Sequence, residues 1–578
     1  MLLSSFIIAT VLQIPTLALL PPQYPLAHSL ATDNGPSPKS ARENAPHVLN
    51  ALHAAMRQWD SSLKHNGMSF FPATIPNNTL VYHGTHTKEP VKGMEWLAFE
   101  IEHAEVFARG RFGRPPGRRP GGGEPGRGPP GEGPPPGEGP PPGEGPPSEE
   151  GRSVNGRGPL SPVEAMEEGE YATDDEEPVQ HGYLHTYRTS RPLTKLLYID
   201  GMSAGKTSMG TLDTQDLILG NTSQTQAPWG DLQRALTLCS LGAEAGIEGF
   251  LRMEAGFELI LCNFTSGLEF VSAHQRPDES VNPEFGLSET SQFEYIRGVA
   301  ARYHGISGGR VVLDYSSMVS AFFYDLNLTN PDPSKTSLPR LVSTSLEDRA
   351  RIKSDVISLF SPTQTDQQEQ EHESSTIDWQ GITDMIVTRY SSRLQFLASG
   401  NLTNRTMFSE INFLLNVFID YTQQNIPDAI QKCTDNYLVP ALPATISDHL
   451  IHESLSTVTR KICSALFDVR TILLDSSPSS SAVEGKVATE KGKSTIEKAN
   501  EVVKELIAYL DWPTWLECGK CAWDEVCFVA IWPWGAVEDH ERPGCVGVGE
   551  LRSRRGYWDG GFGRWGGRGR EDLGCDVM

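Results

Sequence analysis

Residues 231–264 read DLQRALTLCSLGAEAGIEGFLRMEAGFELILCNF, and this stretch decides the fold class of the N-terminal half. Its apolar residues recur at helical spacing over 231–245, which predicts a helix. Two short apolar runs follow at 249–253 and 257–264, and their length and composition predict two strands. A helix that leads into paired strands indicates a mixed region of helices and sheet.

Similar elements lie on both sides of this stretch. Amphipathic spacing predicts a short helix over 47–59. Residues 80–82 form a strand-like run that is broken by Gly84. The pattern further predicts strands and helices at 95–99 (strand), 100–109 (helix), 193–199 (strand), 293–303 (helix) and 309–324 (strand).

From residue 345 onward the apolar period is that of helices. Helices are predicted at 346–360, 378–398, 407–422, 427–474 (with breaks at Pro440 and Pro443) and 496–510. The fold class is therefore α+β: an N-terminal mixed α/β region, then a mainly helical region, then a small Cys/Trp-rich C-terminal segment.

A composition shift divides the N-terminal half. Gly-Glu-Gly-Pro-Pro-Pro occurs at 131–136 and again at 137–142, and such repeats cannot build a hydrogen-bonded core. The predicted organisation is a signal peptide 1–20, a leader or linker 21–45, an α+β domain 46–275 with a disordered Gly/Pro-rich insertion 110–178, a mainly helical region 276–475, a linker 476–495, a helix plus disulfide-rich Trp/Cys segment 496–550, and a disordered Arg/Gly tail 551–578.

Charge and targeting signals favour an exported chain. The 578 residues carry a formal net charge of -24, which argues against nucleic acid or an anionic membrane as a general partner. Residues 2–20 are apolar, are interrupted by Gln13 and Pro15, and run into Pro21 and Pro22, as in a cleaved signal peptide. No later segment reaches the length of a membrane span. The expected location is extracellular.

Sequons and cysteines agree with export. Asn-x-Ser/Thr sequons, which predict N-glycosylation, occur at Asn77, Asn221, Asn263, Asn327, Asn401 and Asn404. The nine cysteines are predicted to form disulfides in an oxidising compartment, with Cys575 as the unpaired one. The predicted disulfide cysteines are Cys239, Cys262, Cys433, Cys463, Cys518, Cys521, Cys527 and Cys545, and Cys433 and Cys463 are expected to link two helices.

Two local patterns mimic ligand sites. Close cysteines at Cys518 and Cys521, with Cys527 and Cys545 downstream, could bind zinc. Two disulfides in any of three pairings are favoured instead, so no metal is expected. Residues 200–207 (DGMSAGKT) mimic a phosphate-binding loop, but Asp200 stands where that motif needs Gly, and its charge would repel phosphate.

The remaining motif begins at Leu80-Val81-Tyr82-His83-Gly84-Thr85. It resembles the first strand of the ADP-ribosyltransferase-like fold, in which a strand-borne His or Arg beside Gly holds the adenosine ribose of NAD. Similar segments follow in the same order at 96–108, 187–200 and 245–261. The resemblance covers 46–275, and it implies NAD as a substrate.

The resemblance assigns a role to each residue. Glu258 would be the catalytic carboxylate that stabilises the oxocarbenium-like transition state of nicotinamide release. His83 and Gly84 would hold the adenosine ribose, and Trp96 or Phe99 would stack on nicotinamide. The family's second motif is Ser-Thr-Ser or Tyr, whereas residues 96–99 read Trp-Leu-Ala-Phe, so a non-catalytic relative is the alternative.

A broader resemblance covers nearly the whole chain. Residues 198–207, 302–310 and the terminal Cys/Trp block are similar to secreted proteins of filamentous fungi that have no assigned activity. Two functions follow as hypotheses: an NAD-dependent ADP-ribosyltransferase or its degenerate relative, and a non-enzymatic protein that binds an unidentified extracellular protein, cell wall or host surface.

Overall fold

The structure is a computed structural model that describes residues 35–108, 181–220, 222, 230–277, 291–361, 377–475, 494–551 and 557–558. The predicted signal peptide, the Gly/Pro-rich insertion, nearly all of the linker 476–495 and most of the Arg/Gly tail lie outside the described residues, as do Asn221 and Cys575. The predicted α+β class is confirmed.

The N-terminal half alternates short helices with strands. Its elements are α1 (Pro38–Glu43), α2 (Ala45–Ala54), α3 (Gln58–Leu63), β1 (Ser69–Ile75), β2 (Leu80–Thr85), β3 (Glu95–Ala98), α4 (Ile101–Phe107), β4 (Tyr183–Thr189), β5 (Leu193–Ile199), a π-helical turn (Thr214–Leu219), α5 (Asp231–Ala245), β6 (Gly249–Met253), β7 (Phe257–Leu261), β8 (Leu268–Gln275), α6 (Ser291–Ala300), β9 (Val312–Leu313) and β10 (Val319–Ser320).

These strands form one sheet in the order β10-β1-β5-β6-β7-β3-β2-β4-β8, with β9 also paired to β1. The β5–β6 pair is parallel, and the other pairs are antiparallel. All residues of β6 and β7 are buried, because these strands lie at the centre of the sheet and helices cover both faces. The outer strand β8 is mostly exposed or half-buried.

The second half is helical, as predicted. Its helices are α7 (Leu346–Ser358), α8 (Trp379–Leu397), α9 (Asn404–Leu415), α10 (Ile426–Asp435), α11 (Ile446–Asp475) and α12 (Thr495–Leu510). The 30-residue α11 packs against α2, α10 and α12 and so joins the helical half to the N-terminal helices. Ser494 and Glu497 form a capping box that begins α12. No helix among the described residues is long and apolar enough to cross a membrane.

A small C-terminal cap completes the described chain. It contains β11 (Glu525–Phe528), α13 (Val537–Glu541), β12 (Gly544–Gly547) and α14 (Val548–Leu551). Disulfides Cys518–Cys527 and Cys521–Cys545 select one of the three pairings that the sequence left open. The predicted link Cys433–Cys463 joins α10 to α11, and Cys239–Cys262 joins α5 to the end of β7.

Several boundaries differ from the sequence-based prediction. Residues 38–45 were assigned to a leader, yet α1 lies there with Ala41 fully buried in the core. The predicted helix over 47–59 is two helices, α2 and α3. The strand predicted at 309–324 is two short strands, β9 and β10. Both pair with β1, so the sheet continues beyond residue 275, the predicted end of the α+β domain. Long-range pairing and burial decide these boundaries, and local pattern does not contain them.

Gly84 lies inside β2 and does not break it, contrary to the prediction. Helix α4 crosses the strand so closely that a Cβ on Gly84 would lie 2.2 Å from the carbonyl oxygen of Ala104 and 2.6 Å from the amide nitrogen of Ala108. Both are backbone atoms, so a rotamer change cannot make room. Glycine is therefore required here for the packing of a helix against a strand.

We expect Gly84→Ala to lower the free energy of unfolding by about 1–3 kcal/mol, because α4 must move away from the sheet. Gly519→Ala is the matched control, since nothing lies within 4 Å of a Cβ at Gly519. Urea denaturation of both variants measures the difference. Equal stabilities would contradict the close packing of α4 on β2.

Candidate functional site

A cluster of buried charges lies between the central strands and the helices on one face of the sheet. Arg252 of β6 is directly opposite Glu258 of β7 in the strand register. Arg252 Nε and Nη2 donate to Glu258 Oε1 at 2.8 and 2.5 Å. The same guanidinium donates to both oxygens of Asp231 at 3.2 Å and to Gln215 Oε1 at 2.8 Å. One fully buried arginine thus ties two strands, α5 and the π-helical turn together.

Lys206 brings a second cation to the cluster. Its Nζ lies 2.5 Å from Glu254 Oε2 and 3.7 Å from Asp231 Oδ2, and its side chain is buried. The segment 200–207 therefore supplies an internal ion pair and not a phosphate cradle. The cavity lined by Asp200 has a volume of about 30 Å³, which is room for water and not for a nucleotide.

Aromatic side chains cover this cluster. Trp532 of the C-terminal cap lies over Lys206, with 4.7 Å between Nζ and the ring centroid, and its indole nitrogen donates to the Lys206 carbonyl. Tyr295 of α6 donates to the Ala255 carbonyl in the turn between β6 and β7. Trp534 packs edge-on against Tyr295. The charged groups are consequently held in surroundings of low polarity, where their interactions are strong.

Burial and neighbouring charge shift the pKa values in the cluster. Burial raises the pKa of Glu254 to about 7, and Glu258 and Asp231 act in the same direction against Lys206. Burial also opposes ionisation of Asp231, but Arg252 and Lys206 outweigh it and lower its pKa to about 2. Burial lowers the pKa of His103 to about 4, so its imidazole is neutral at pH 7.

The structure does not bring His83 and Glu258 together. Tyr82 pairs with Ala98, and Ala98 pairs with Glu258, so these three side chains share one face of the sheet. His83 follows Tyr82 and therefore points to the opposite face. Its Nδ1 lies 2.8 Å from the Trp96 carbonyl oxygen, and its ring packs against Phe264. The single cleft required for NAD cleavage by this pair is not formed.

The other predicted cofactor residues also have internal partners. Helix α4 covers Gly84, as described above. Phe99 is fully buried, and Arg310 donates to its carbonyl oxygen and lies over its ring. Trp96 is half-buried on the same face as Ala98. Of the predicted set, Gly84 and Trp96 therefore lie on the same face of the sheet as Glu258, and His83 lies on the opposite face.

A surface groove lies apart from the sheet, between α8, α9 and the chain after α10. Its volume is about 520 Å³, which is within the usual range for small-molecule sites. The lining residues are Asp384, Met385, Thr388, Arg389, Arg393, Phe413, Leu414 and Tyr437. Phe413 is 73% exposed, and Val417, one helical turn further on, is 74% exposed. Phe413 thus presents a large apolar side chain to solvent in the groove.

The described sequon asparagines are all accessible. Asn77, Asn263, Asn327, Asn401 and Asn404 are exposed. Asn263 accepts hydrogen bonds from Thr265, and Asn327 accepts one from the Thr329 amide, so both lie in tight polar turns. Their positions are compatible with glycan attachment.

Most of the buried cluster is not predicted from the sequence. Lys206 was considered only as a phosphate-binding lysine, and Arg252, Glu254 and Asp231 were given no role. A signal was present, because charged residues inside the apolar run 249–261 must find partners when the strands are buried. The identity of those partners depends on α5 and the π-helical turn, and no local pattern indicates them.

The chain is similar in sequence to fungal proteins. Residues 39–286 match the family model described as the YPL277C N-terminal domain. Uncharacterized protein YOR389W of Saccharomyces cerevisiae is 26% identical over 579 residues, covering 86% of this chain and 83% of that protein. Uncharacterized protein YPL277C of the same yeast is 34% identical over 240 residues, covering 40% of this chain and 43% of that protein. No solved structure matches.

These matches support the resemblance to uncharacterised fungal proteins. The family model spans the sheet from β1 to β8 and includes every charged residue of the buried cluster. The names of these relatives describe no activity, so the matches support neither NAD chemistry nor export.

Glu95, at the start of β3, gives the fold a pH dependence. Burial raises the pKa of its carboxyl group to about 8. Between pH 6.5 and 8 this carboxyl group is therefore largely protonated in the folded protein, whereas it is ionised in the unfolded chain. We expect stability to rise by up to about 1.4 kcal/mol per pH unit from this group as pH falls from 8 to 6.5. The buried histidines, whose pKa values are lowered, oppose this only below about pH 6.5.

Unfolding temperatures of the wild type and Glu95→Gln across this window test the assignment. Glu95→Gln should make the rise less steep, whereas Glu269→Gln, at an exposed ion pair with Arg188, should not. Glu100, Asp200 and Glu254, whose pKa values burial raises to about 7, supply the rest of the rise. An unchanged slope in Glu95→Gln would show that Glu95 is not the titrating group.

Proposed function

We propose that the protein is an exported glycoprotein that binds an amphiphilic anion, of the size of a fatty acid, in the groove between α8 and α9. The observation that carries the proposal is a groove of about 520 Å³ that combines apolar side chains with two arginines on a strongly acidic chain. Asp384, which also lines the groove, is already paired with Arg57. The disulfides, the exposed sequons and the apolar N-terminal segment support export.

The apolar part of the groove suits a hydrocarbon chain. Met385 on α8 is 48% exposed and Phe413 on α9 is 73% exposed, although both helices are well packed. Burying a side chain of this kind against a ligand is worth about 1.5–3 kcal/mol. An isolated exposed Leu or Val needs no explanation, but adjacent exposed apolar groups beside a groove are typical of a binding surface.

The polar edge of the groove suits a carboxylate. Arg389 donates from Nη2 to the Leu414 carbonyl, while its buried Nε has no hydrogen-bond partner among the described residues. Arg393 lies one turn further along α8 and pairs with Glu410 at 3.2 Å. A ligand carboxylate in the groove would accept charge-assisted hydrogen bonds from these guanidinium groups, and such bonds are among the stronger ones.

The geometry favours binding over NAD cleavage. Glu258 Oε1 already accepts two hydrogen bonds from Arg252, and His83 points to the other face of the sheet. A carboxylate that stabilises a developing cation must face the substrate, and here it faces a fixed guanidinium. The alternative of a non-catalytic binding protein is therefore the one we adopt.

Dodecanoate is a suitable probe of the groove. We expect it to bind to the oxidised full-length protein, and Phe413→Ser to weaken binding at least about tenfold through the loss of apolar contact. Isothermal titration calorimetry measures both affinities. Leu346→Ser is the matched control, because Leu346 is 55% exposed on α7, away from the groove.

A second comparison tests whether the groove requires a negative charge on the ligand. Dodecyltrimethylammonium should bind at least about tenfold more weakly than dodecanoate, and Arg389→Gln should reduce that difference. Equal affinity for the two amphiphiles, binding only of acidic apolar peptides, or release of nicotinamide from NAD by the purified protein would each overturn the proposal.

Export predicts glycans at the exposed sequons. After secretion from a eukaryotic host, Asn77, Asn263, Asn327, Asn401 and Asn404 should carry N-linked glycans. Enzymatic deglycosylation followed by peptide mass spectrometry detects the resulting Asn-to-Asp conversion. Asn78 is the internal control, because it is exposed but is not in a sequon. A secreted protein without modification at these residues would contradict the glycoprotein assignment.

A further inference from the structure

Three potential metal ligands converge on the sheet face that carries the buried charges. His103 comes from α4, Glu254 from the turn after β6, and Glu258 from β7. One ligand atom from each lies within 4.8 Å of the other two. Their side chains belong to residues that are 2%, 4% and 5% exposed. The groups come from three separate elements, so the fold and not sequence proximity brings them together.

His103 is the unusual member of this set. Its Nδ1 is buried and has no hydrogen-bond partner among the described residues. A Cβ on Gly256 would lie 2.5 Å from this nitrogen, so Nδ1 is directed at the turn that carries Glu254. An unpartnered buried polar atom costs roughly 1–3 kcal/mol, and a bound cation would offset that cost.

The carboxylates still have oxygen atoms to offer. Lys206 contacts Oε2 of Glu254, and both hydrogen bonds from Arg252 to Glu258 end on Oε1. The other oxygen of each carboxylate accepts no hydrogen bond from the described residues. With Asp231 included, three carboxylates face two cations, so the cluster has an unbalanced negative charge when all are ionised.

We propose that His103, Glu254 and Glu258 form a binding site for a first-row divalent cation of the Zn²⁺ type. One imidazole and two carboxylates are a donor set that suits zinc and its neighbours better than Ca²⁺, which prefers oxygen alone. Ligand atoms in a tetrahedral zinc site are about 3.4 Å apart, so small side-chain movements would complete the geometry. This site is independent of the groove on the helical layer.

Zn²⁺ binding by the oxidised full-length protein tests the proposal. After loading and dialysis, we expect one equivalent of Zn²⁺ by atomic emission and a higher unfolding temperature, while Mg²⁺ at the same concentration has no effect. Glu254→Gln and His103→Phe should each lower the Zn²⁺ affinity at least about tenfold. Glu95→Gln and His304→Asn are controls, one buried and one exposed, that should keep it.

A measurement on the wild-type protein tests the site even if the variants fail to fold. Anomalous scattering from Zn²⁺-loaded crystals should place the ion between His103 and the two carboxylates. An ion found elsewhere, no Zn²⁺ retained by the wild type, or wild-type affinity in both Glu254→Gln and His103→Phe would overturn the assignment.

Discussion

The buried guanidinium of Arg252 is the interaction on which the N-terminal half depends. It is fully buried, and its donors are used by Glu258, Asp231 and Gln215. Removing one partner of such a group costs roughly 3–5 kcal/mol, because a buried charge is left uncompensated. The central strands, α5 and the π-helical turn must therefore adopt their positions together. His83 lies on the other face of the sheet from Glu258, which argues against the role in NAD cleavage that the motif suggested.

The molecule has two regions with different chemistry. The face of the sheet that carries α4 holds ionic groups away from water, covered by Trp532 and Tyr295. The helical half instead leaves Phe413 exposed in a groove that two arginines also line. Buried charges require partners that compensate them, whereas adjacent exposed apolar side chains are typical of a binding surface. Either proposal can therefore be wrong without affecting the other.

The resemblance to an ADP-ribosyltransferase-like fold illustrates how motif order can mislead. The strands quoted for it exist: β2, β5, β6 and β7 lie within the similar segments, and β3 begins one residue before its segment. Their order in the sheet and their register are not visible in the sequence. A shift of one residue moves a side chain to the other face of a sheet, and His83 is one residue beyond Tyr82, which shares the face of Glu258.

The sequence by itself determined the α+β class, α5, β5, β6 and the order of the helices, because apolar periodicity reports which face of an element is buried. It also indicated that Cys433 and Cys463 pair. Only the tertiary structure decided that Lys206, Asp231, Arg252, Glu254 and Glu258 form one cluster, and that His103 points into it. These contacts join residues from separate elements of the fold. Packing, and the need to compensate each buried charge, determine which residues pair.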